Sequence, residues 1–292
     1  MRNKFADVIF EEGKKNKKIC ALVADISPAG SMVNFRNKFP DRFINTGVAE
    51  QSMIGIAAGL ALRGMKPFCY TIATFSLYRP FEMIRVDVCY QNLPVTIIGM
   101  GAGLIYSTLG STHHSFEDIS IASSLPNMTV LAPCDPLEME EATKWCARVN
   151  TGPVYMRLGK KGEPNLTSKA KDKFVVGKIR YLEKKKSKKI AIISYGTIVK
   201  LAFDVAEELK KFNIQPSLIS CHTIKPLDEK GIKNMLINFD NVIIIEEHVP
   251  NGGLSSNIKS INSDLGNKSR VIAFTCKDEF IHSYGSYENL LN

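Results

Sequence analysis

The 292-residue sequence has no run of about 18 apolar residues, so no membrane-spanning helix is expected. Its first residues, Met1-Arg2-Asn3-Lys4-Phe5-Ala6-Asp7, enter a polar helical pattern and offer no apolar core of a signal peptide. Cys-x-x-Cys spacing is absent. The seven cysteines (Cys20, Cys69, Cys89, Cys134, Cys146, Cys221 and Cys276) are scattered and odd in number. They argue against a disulfide framework or a zinc site and for reduced, buried thiols in a cytoplasm. Neither a Gly-x-x-x-x-Gly-Lys-Ser/Thr loop nor a Gly-x-Gly-x-x-Gly word occurs, which removes two common ways of cradling a phosphate. Internal repeats and low-complexity tracts are missing as well.

Positive charge is in excess: 38 Lys and Arg against 29 Asp and Glu, a net +9. Much of it sits in Lys14-Lys15-Asn16-Lys17-Lys18 and Lys184-Lys185-Lys186-Ser187-Lys188-Lys189. Both runs flank predicted strands and carry no interleaved aromatics, so they read as solvated loops, and no nucleic-acid partner is expected.

Strands and helices alternate throughout. The apolar runs Ile19–Ala24, Pro67–Ile72, Leu93–Gly99 and Met128–Pro133 lie between helical patterns at Ser52–Arg63, Tyr78–Asn92 and Pro136–Arg148. Near-continuous apolar strands separated by helices predict a parallel sheet covered on both faces. From about Gly159 to Lys189 the chain turns rich in Lys, Gly, Pro and Ser, with one strand-like piece at Phe174-Val175-Val176. A second alternation follows, with strands at Ile190–Thr197, Pro216–Ser220, Val242–Ile245 and Arg270–Phe274, helices at Ile198–Phe212 and Asp228–Asn238, and a short final helix. The expected fold is α/β: two domains in series, each a mostly parallel sheet flanked by helices, over 1–160 and 190–292, joined by a linker over 161–189.

One carboxylate stands out. In Asn45-Thr46-Gly47-Val48-Ala49-Glu50-Gln51, Glu50 opens an apolar helix continuing through Ile54-Gly55-Ile56-Ala57-Ala58-Gly59-Leu60-Ala61. A carboxylate there enters an interface where an unpaired charge is costly, and such groups are kept where chemistry needs a proton held in a dry place. The alternative is an N-terminal Glu favoured by the helix dipole. Downstream come Thr71–Arg79, a strand running into a helix; Gly110-Ser111-Thr112-His113-His114; Pro126-Asn127-Met128-Thr129-Val130; Tyr155-Met156-Arg157-Leu158; Glu246-Glu247-His248; and Gly252-Gly253-Leu254. Each word is weak, but the ordered set from about Asp25 onward resembles the second half of transketolase, particularly its split-chain bacterial form. The resemblance implies a thiamine-diphosphate pyrimidine-binding fold followed by a transketolase C-terminal-like fold.

It also implies roles. Glu50 would bind the ring nitrogen of the cofactor's aminopyrimidine and set its tautomer, with a carboxyl pKa raised by burial. Phe75 would stack on that ring, with Ile72 and Tyr78 close by; ordinary core packing is the alternative. Asp25, at a strand end, matches a family word and otherwise reads as a cap or turn. His113 would line the substrate channel and donate to a sugar hydroxyl or shuttle protons. His114 stands where the family has Gln, beside the substrate. Arg157 matches an arginine holding a sugar's terminal phosphate, the alternative being a strand-end salt bridge.

Two departures accompany these matches. Leu109, in Ser107-Thr108-Leu109-Gly110, replaces an acidic residue that contacts sugar hydroxyls, and Gly101 replaces a polar residue upstream. Losing two polar groups from a sugar-reading site implies an altered substrate. The Gly-Asp-Gly word with which thiamine enzymes hold diphosphate and Mg²⁺ is absent from this chain. The expectation is therefore a transferase subunit of carbohydrate metabolism. It would move a two-carbon ketol unit between sugar phosphates or activated sugars in an α₂β₂ assembly. It would bind the pyrimidine end of thiamine diphosphate and no metal, while a separate subunit holds the diphosphate and Mg²⁺. A deoxyxylulose-phosphate-synthase-like or 2-oxo-acid decarboxylating β-subunit, or a non-catalytic scaffold, are the alternatives.

Overall fold

Alternation of short apolar stretches with amphipathic ones becomes two sheets in the computed structural model, which describes residues 1–26, 32–160 and 162–291. Along the chain the strands are β1 (Ile19–Val23), β2 (Phe43–Asn45), β3 (Lys66–Ile72), β4 (Thr96–Met100), β5 (Thr129–Leu131), β6 (Val154–Leu158), β7 (Arg180–Glu183), β8 (Ile190–Ser194), β9 (Ser217–Ser220), β10 (Thr223–Lys225), β11 (Asn241–Ile245) and β12 (Arg270–Phe274). The first sheet runs β10-β5-β6-β4-β3-β1-β2, and only β10 is antiparallel to its neighbour. The second runs β12-β11-β8-β9-β7, with only β7 antiparallel.

Register explains why these strands carry almost no charge. Leu22, Cys69, Ile97 and Tyr155 stand side by side across β1, β3, β4 and β6, all fully buried on one face. Their neighbours Ala21, Phe68, Thr96 and Val154 form the next row on the opposite face, also buried. With both faces covered, alternation between polar and apolar residues is lost. On one side α1 (Arg2–Lys15) packs against helix Pro136–Arg148 through Phe5, Ile9, Met139 and Cys146. Arg148 Nη2 and Glu12 Oε1 tie the two helices at 2.6 Å. The short α2 (Met32–Lys38) adds Met32 and Phe35 to that core. On the other face α3 (Glu50–Leu62) buries Met53, Ile54, Ala57, Ala58 and Ala61.

Three features depart from expectation. Phe174-Val175-Val176 forms no strand; Phe174 stacks on His222 with ring centroids 4.0 Å apart, and β7 begins at Arg180, within the stretch read as a linker. Strand β10 belongs to the later part of the chain yet extends the first sheet, and one apolar cluster continues from Leu22 and Ile97 to Ile193 and Met235. Helix begins earlier than expected, in α4 (Ala73–Leu77), and the stretch Tyr78–Asn92 expected as one helix is a turn at Tyr78-Arg79-Pro80, one α-turn at Phe81–Met83 and a π-helix at Ile84–Tyr90. Pro80 lacks an amide hydrogen and disfavours helical geometry at Arg79, which opens the turn there. None of the helices among the described residues is long and apolar enough to cross a membrane.

Candidate functional site

Four neighbouring parallel strands, β2, β1, β3 and β4, end on the same edge of the first sheet, where open parallel sheets place ligands. The turn after β2 delivers Glu50. Asn45 Oδ1 accepts from the amides of Asp25 (3.1 Å) and Gly47 (3.0 Å), tying the ends of β1 and β2 together. Asp25 (φ 49°) and Gly47 (φ 67°) both occupy the left-handed region, which suits an aspartate and a glycine. Residues 27–31, directly after the Asp25 turn, lie outside the described residues.

Glu50 is the first residue of α3 and only 3 % exposed. One guanidinium nitrogen of Arg79, Nη1, donates to both of its carboxylate oxygens at 3.0 Å. The same guanidinium lies over Phe75, 4.0 Å from the ring centroid. His113 meets Phe75 edge-on with centroids 5.2 Å apart and Tyr106 at 5.9 Å, and its Nδ1 is 2.9 Å from Thr112 Oγ1. Burial, then the nearby Arg79 charge, push the His113 pKa below its ordinary value, so the imidazole is neutral around pH 7. Glu50, Phe75 and His113, far apart in sequence, are thus brought together, with Arg79 between the first two.

The remaining expected residues scatter around this line. Ile72, half-buried, ends β3 and introduces α4, the helix carrying Phe75. Tyr78 turns its hydroxyl to Glu117 Oε2 at 2.9 Å, and burial holds its pKa well above the usual phenol range. His114 is buried with both ring nitrogens outside hydrogen-bond geometry. Burial lowers its pKa, an effect softened by the adjacent Ser107 and Tyr106 backbone. It shares the wall of a cavity of about 380 Å³ with Thr74, Phe75, Arg79, Glu117 and Phe280. Ser111, whose hydroxyl donates to the Ile281 carbonyl, fastens the C-terminal segment over that loop.

Arg157, expected at a sugar's terminal phosphate, is held in a buried ion-pair network. Its side chain is 5 % exposed, with Nε 3.3 Å from Asp118 Oδ2 and Nη2 3.7 Å from Glu247 Oε2. Nη2 also donates to the carbonyls of Glu247 (3.1 Å) and Ser115 (3.4 Å). Turning it to a phosphate would leave the Asp118 and Glu247 carboxylates, both buried, without this cation. The Glu246-Glu247-His248 word acquires a structural reading. Glu246 caps helix Leu254–Asp264 through the amides of Leu254 and Ser255, Glu247 reaches Arg157 and the Leu104 amide, and His248 Nε2 accepts from the Ser120 amide.

The two departures take physical form. Leu109 is exposed in a 3₁₀ turn. Gly101 has φ +71°, and a Cβ there would collide with Tyr106 Cε2, so an aromatic ring fills the space a larger residue would need. No individual role is expected from the sequence for Arg79, Glu117 or Asp118, and Glu247 enters there only as part of a family word. The available signal for Arg79 was its position four residues after Phe75 and directly before Pro80. Among the described residues, no group of three or more His, Cys, Asp or Glu is placed to hold a metal ion.

A parallel-sheet domain with a buried carboxylate and an aromatic face at its strand ends, followed by a second α/β domain, defines a two-domain ligand-binding α/β protein. Residues 1–164 match the transketolase pyrimidine-binding domain and residues 177–291 the transketolase C-terminal domain; the chain belongs to the transketolase family. It is 34 % identical over 253 residues to an apulose-4-phosphate transketolase subunit of Actinobacillus succinogenes, covering 87 % of this chain and 80 % of that one. It is 32 % identical over 278 residues to the 1-deoxy-D-xylulose-5-phosphate synthase of Clostridium perfringens, covering 95 % of this chain but only 44 % of that enzyme, so the chain spans less than half of such relatives. A solved structure described as a split-gene transketolase, an inactive β4 tetramer, superposes with a TM-score of 0.84 at 32 % identity, over 95 % of this chain and 89 % of that one.

Proposed function

We propose that this chain is the pyrimidine-binding and C-terminal subunit of a split, thiamine-diphosphate-dependent transketolase-like enzyme. Residues 1–160 would carry the cofactor-facing edge and 190–292 the C-terminal domain. The observation that carries the reading is the buried Glu50 carboxylate, which faces a planar nitrogen donor lying over the Phe75 ring. An aminopyrimidine offers that same combination of a flat ring and a nitrogen directed at a carboxylate, so the residues present fit this end of the cofactor. When bound, thiamine diphosphate supplies the carbon centre that carries a two-carbon ketol unit. Glu50 would hydrogen-bond the ring nitrogen, Phe75 would set the ring plane, and Ile72 and Tyr78 would bound the seat. Neutral His113 offers a hydrogen bond to a substrate hydroxyl, Asp25 borders the cofactor edge, and His114 shapes the neighbouring cavity.

The diphosphate and Mg²⁺ are assigned to a second chain, because the relative matched over 80 % of its own length is itself a transketolase subunit and the Gly-Asp-Gly word is not among these residues. The surface of α3 supports such a partner. Val48, Ile56 and Leu62 are exposed beside the bare Gly55 and Gly59, and Met83, Val86 and Tyr90 on the adjoining helical segment are exposed too. A helix apolar all round needs covering. An α₂β₂ assembly would cover it. Six of the seven free cysteines are buried, and we place the complex in the cytoplasm.

A second reading, donor use of the deoxyxylulose-phosphate-synthase kind, is favoured by the loss of polar groups at Leu109 and at Gly101, where Tyr106 fills the space. The test is to assemble the chain with a diphosphate-binding transketolase subunit from the same organism. Cofactor binding is then measured by calorimetry, and turnover with sugar phosphates is compared with turnover on pyruvate. Cofactor binding in the mixture and its loss in Glu50→Gln are expected; undiminished binding and turnover in Glu50→Gln would sink the cofactor role. Preferred use of pyruvate would select the second reading, and no cofactor binding with any partner would leave a scaffold.

A further inference from the structure

We infer that Arg79 is an internal placeholder for the pyrimidine, occupying its seat between Glu50 and Phe75 until the cofactor displaces it. The inference rests on the reading of Glu50 given above. A carboxylate 3 % exposed is costly without a partner, and the cation against it is a side chain of this same chain. The match is one of shape as well as charge. Arg79 presents a flat, delocalised nitrogen group whose Nη1 straddles both Glu50 oxygens at 3.0 Å and whose Cζ lies over the Phe75 ring, 4.0 Å from its centroid. A pyrimidine would make these same two contacts, a hydrogen bond to the carboxylate and a π-face on the aromatic ring. Both cannot be made at once.

The surroundings let Arg79 leave. It sits on the turn opened by Pro80, outside any helix, so its side chain can swing without unwinding α4. Its side chain is 42 % exposed and lines the cavity of about 380 Å³, which gives the guanidinium room to turn away. Half-exposed pairs are weakly held, whereas a bound pyrimidine would be enclosed. A first occupant that must be displaced lowers apparent affinity by the fraction of time the seat is free. The isolated chain would keep its carboxylate partnered and would admit a pyrimidine only in competition with its own arginine.

The experiment uses the pyrimidine half alone, 4-amino-5-hydroxymethyl-2-methylpyrimidine, titrated into the full chain by calorimetry. Arg79→Ala and Arg79→Gln should bind it about tenfold more tightly than the unaltered chain, ~1.4 kcal/mol. Methylguanidinium should compete for the seat in Arg79→Ala, while tetramethylammonium at equal ionic strength should not. Glu50→Gln should abolish binding whether or not Arg79 is present. Equal or weaker binding to both Arg79 variants, no detectable binding to them at millimolar probe, or failure of methylguanidinium to compete would overturn the placeholder. If Glu50→Gln removes binding in that case, the role of Glu50 still stands. Undiminished binding to Glu50→Gln would instead remove the reading on which the placeholder depends.

Discussion

Replacing Arg157 by alanine tests whether this residue joins the domains or serves a substrate. The substitution leaves Asp118, fully buried, with the Tyr155 hydroxyl on Oδ2 at 2.8 Å and no partner on Oδ1. Glu247, also buried, would keep the Leu104 amide at 2.9 Å but lose its cation. Breaking a buried ion pair from one side costs about 3–5 kcal/mol, mostly through the charge left behind. Two carbonyls losing a donor at 3.1 and 3.4 Å add to this less than additively. A net loss of about 4 kcal/mol is expected, which for a chain of this size lowers the melting temperature by roughly 8 °C. Urea unfolding followed by circular dichroism and by the fluorescence of the single tryptophan, Trp145 on the first domain, would measure it. The two probes should also separate more in the variant, because the Arg157 bridge to Glu247 couples the domains. Adding Asp118→Asn and Glu247→Gln to Arg157→Ala should recover part of the loss. Stability within about 0.5 kcal/mol of the unaltered chain, together with a raised KM for a phosphorylated substrate, would refute the reasoning and restore the phosphate role.

Three further outcomes follow from the same structure. Gly101→His forces a left-handed φ of 71° on a bulky residue and drives its Cβ into Tyr106, so about 3 kcal/mol of stability should be lost, and Tyr106→Ala should recover the overpacking part; equal melting curves for all three chains would contradict this. Ile56→Asp, on the uncovered face of α3, should leave the folding of the chain within about 0.5 kcal/mol but weaken association with the partner by about 2 kcal/mol or more, as sedimentation or calorimetry would show. Burial pushes the His222 pKa down to about 3 from its ordinary 6.5, so the folded state favours the neutral imidazole. That contribution is complete above about pH 6.5 and is lost as pH falls towards 3, at up to about 1.4 kcal/mol per unit. The urea midpoint should therefore fall more steeply between pH 6.5 and 4 in the unaltered chain than in His222→Gln; parallel profiles would show that His222 does not drive the acid sensitivity.

Much of this was legible because it is local. An uncharged five-residue run such as Ile19–Val23 or Thr96–Met100 can be stable only with both faces covered, so the α/β alternation follows from composition and spacing. Glu50 at the head of an apolar helix and Phe75 just past a strand end could be placed at the ligand-binding edge for the same reason: strand ends in a parallel sheet share one side. Less legible were features that depend on what a side chain meets. The break after α4 had a local cause in Pro80, yet the helical periodicity outweighed it. Strand β10 could not be assigned to the first sheet from three residues at Thr223–Lys225, because its pairing with β5 is set by how the domains dock.

Arg157 and Arg79 mark the boundary most clearly. Both are arginines next to motif words, and sequence alone determined the family, the strand scaffold and the carboxylate at its edge. Only the tertiary structure decided that Arg157 meets Glu247, 90 residues away, while Arg79 reaches back 29 residues to Glu50. The physical reason is that a guanidinium has no fixed role. Its work is set by which carboxylate the fold brings within about 3–4 Å of it and by how much water remains there, and neither is written in the spacing of the chain.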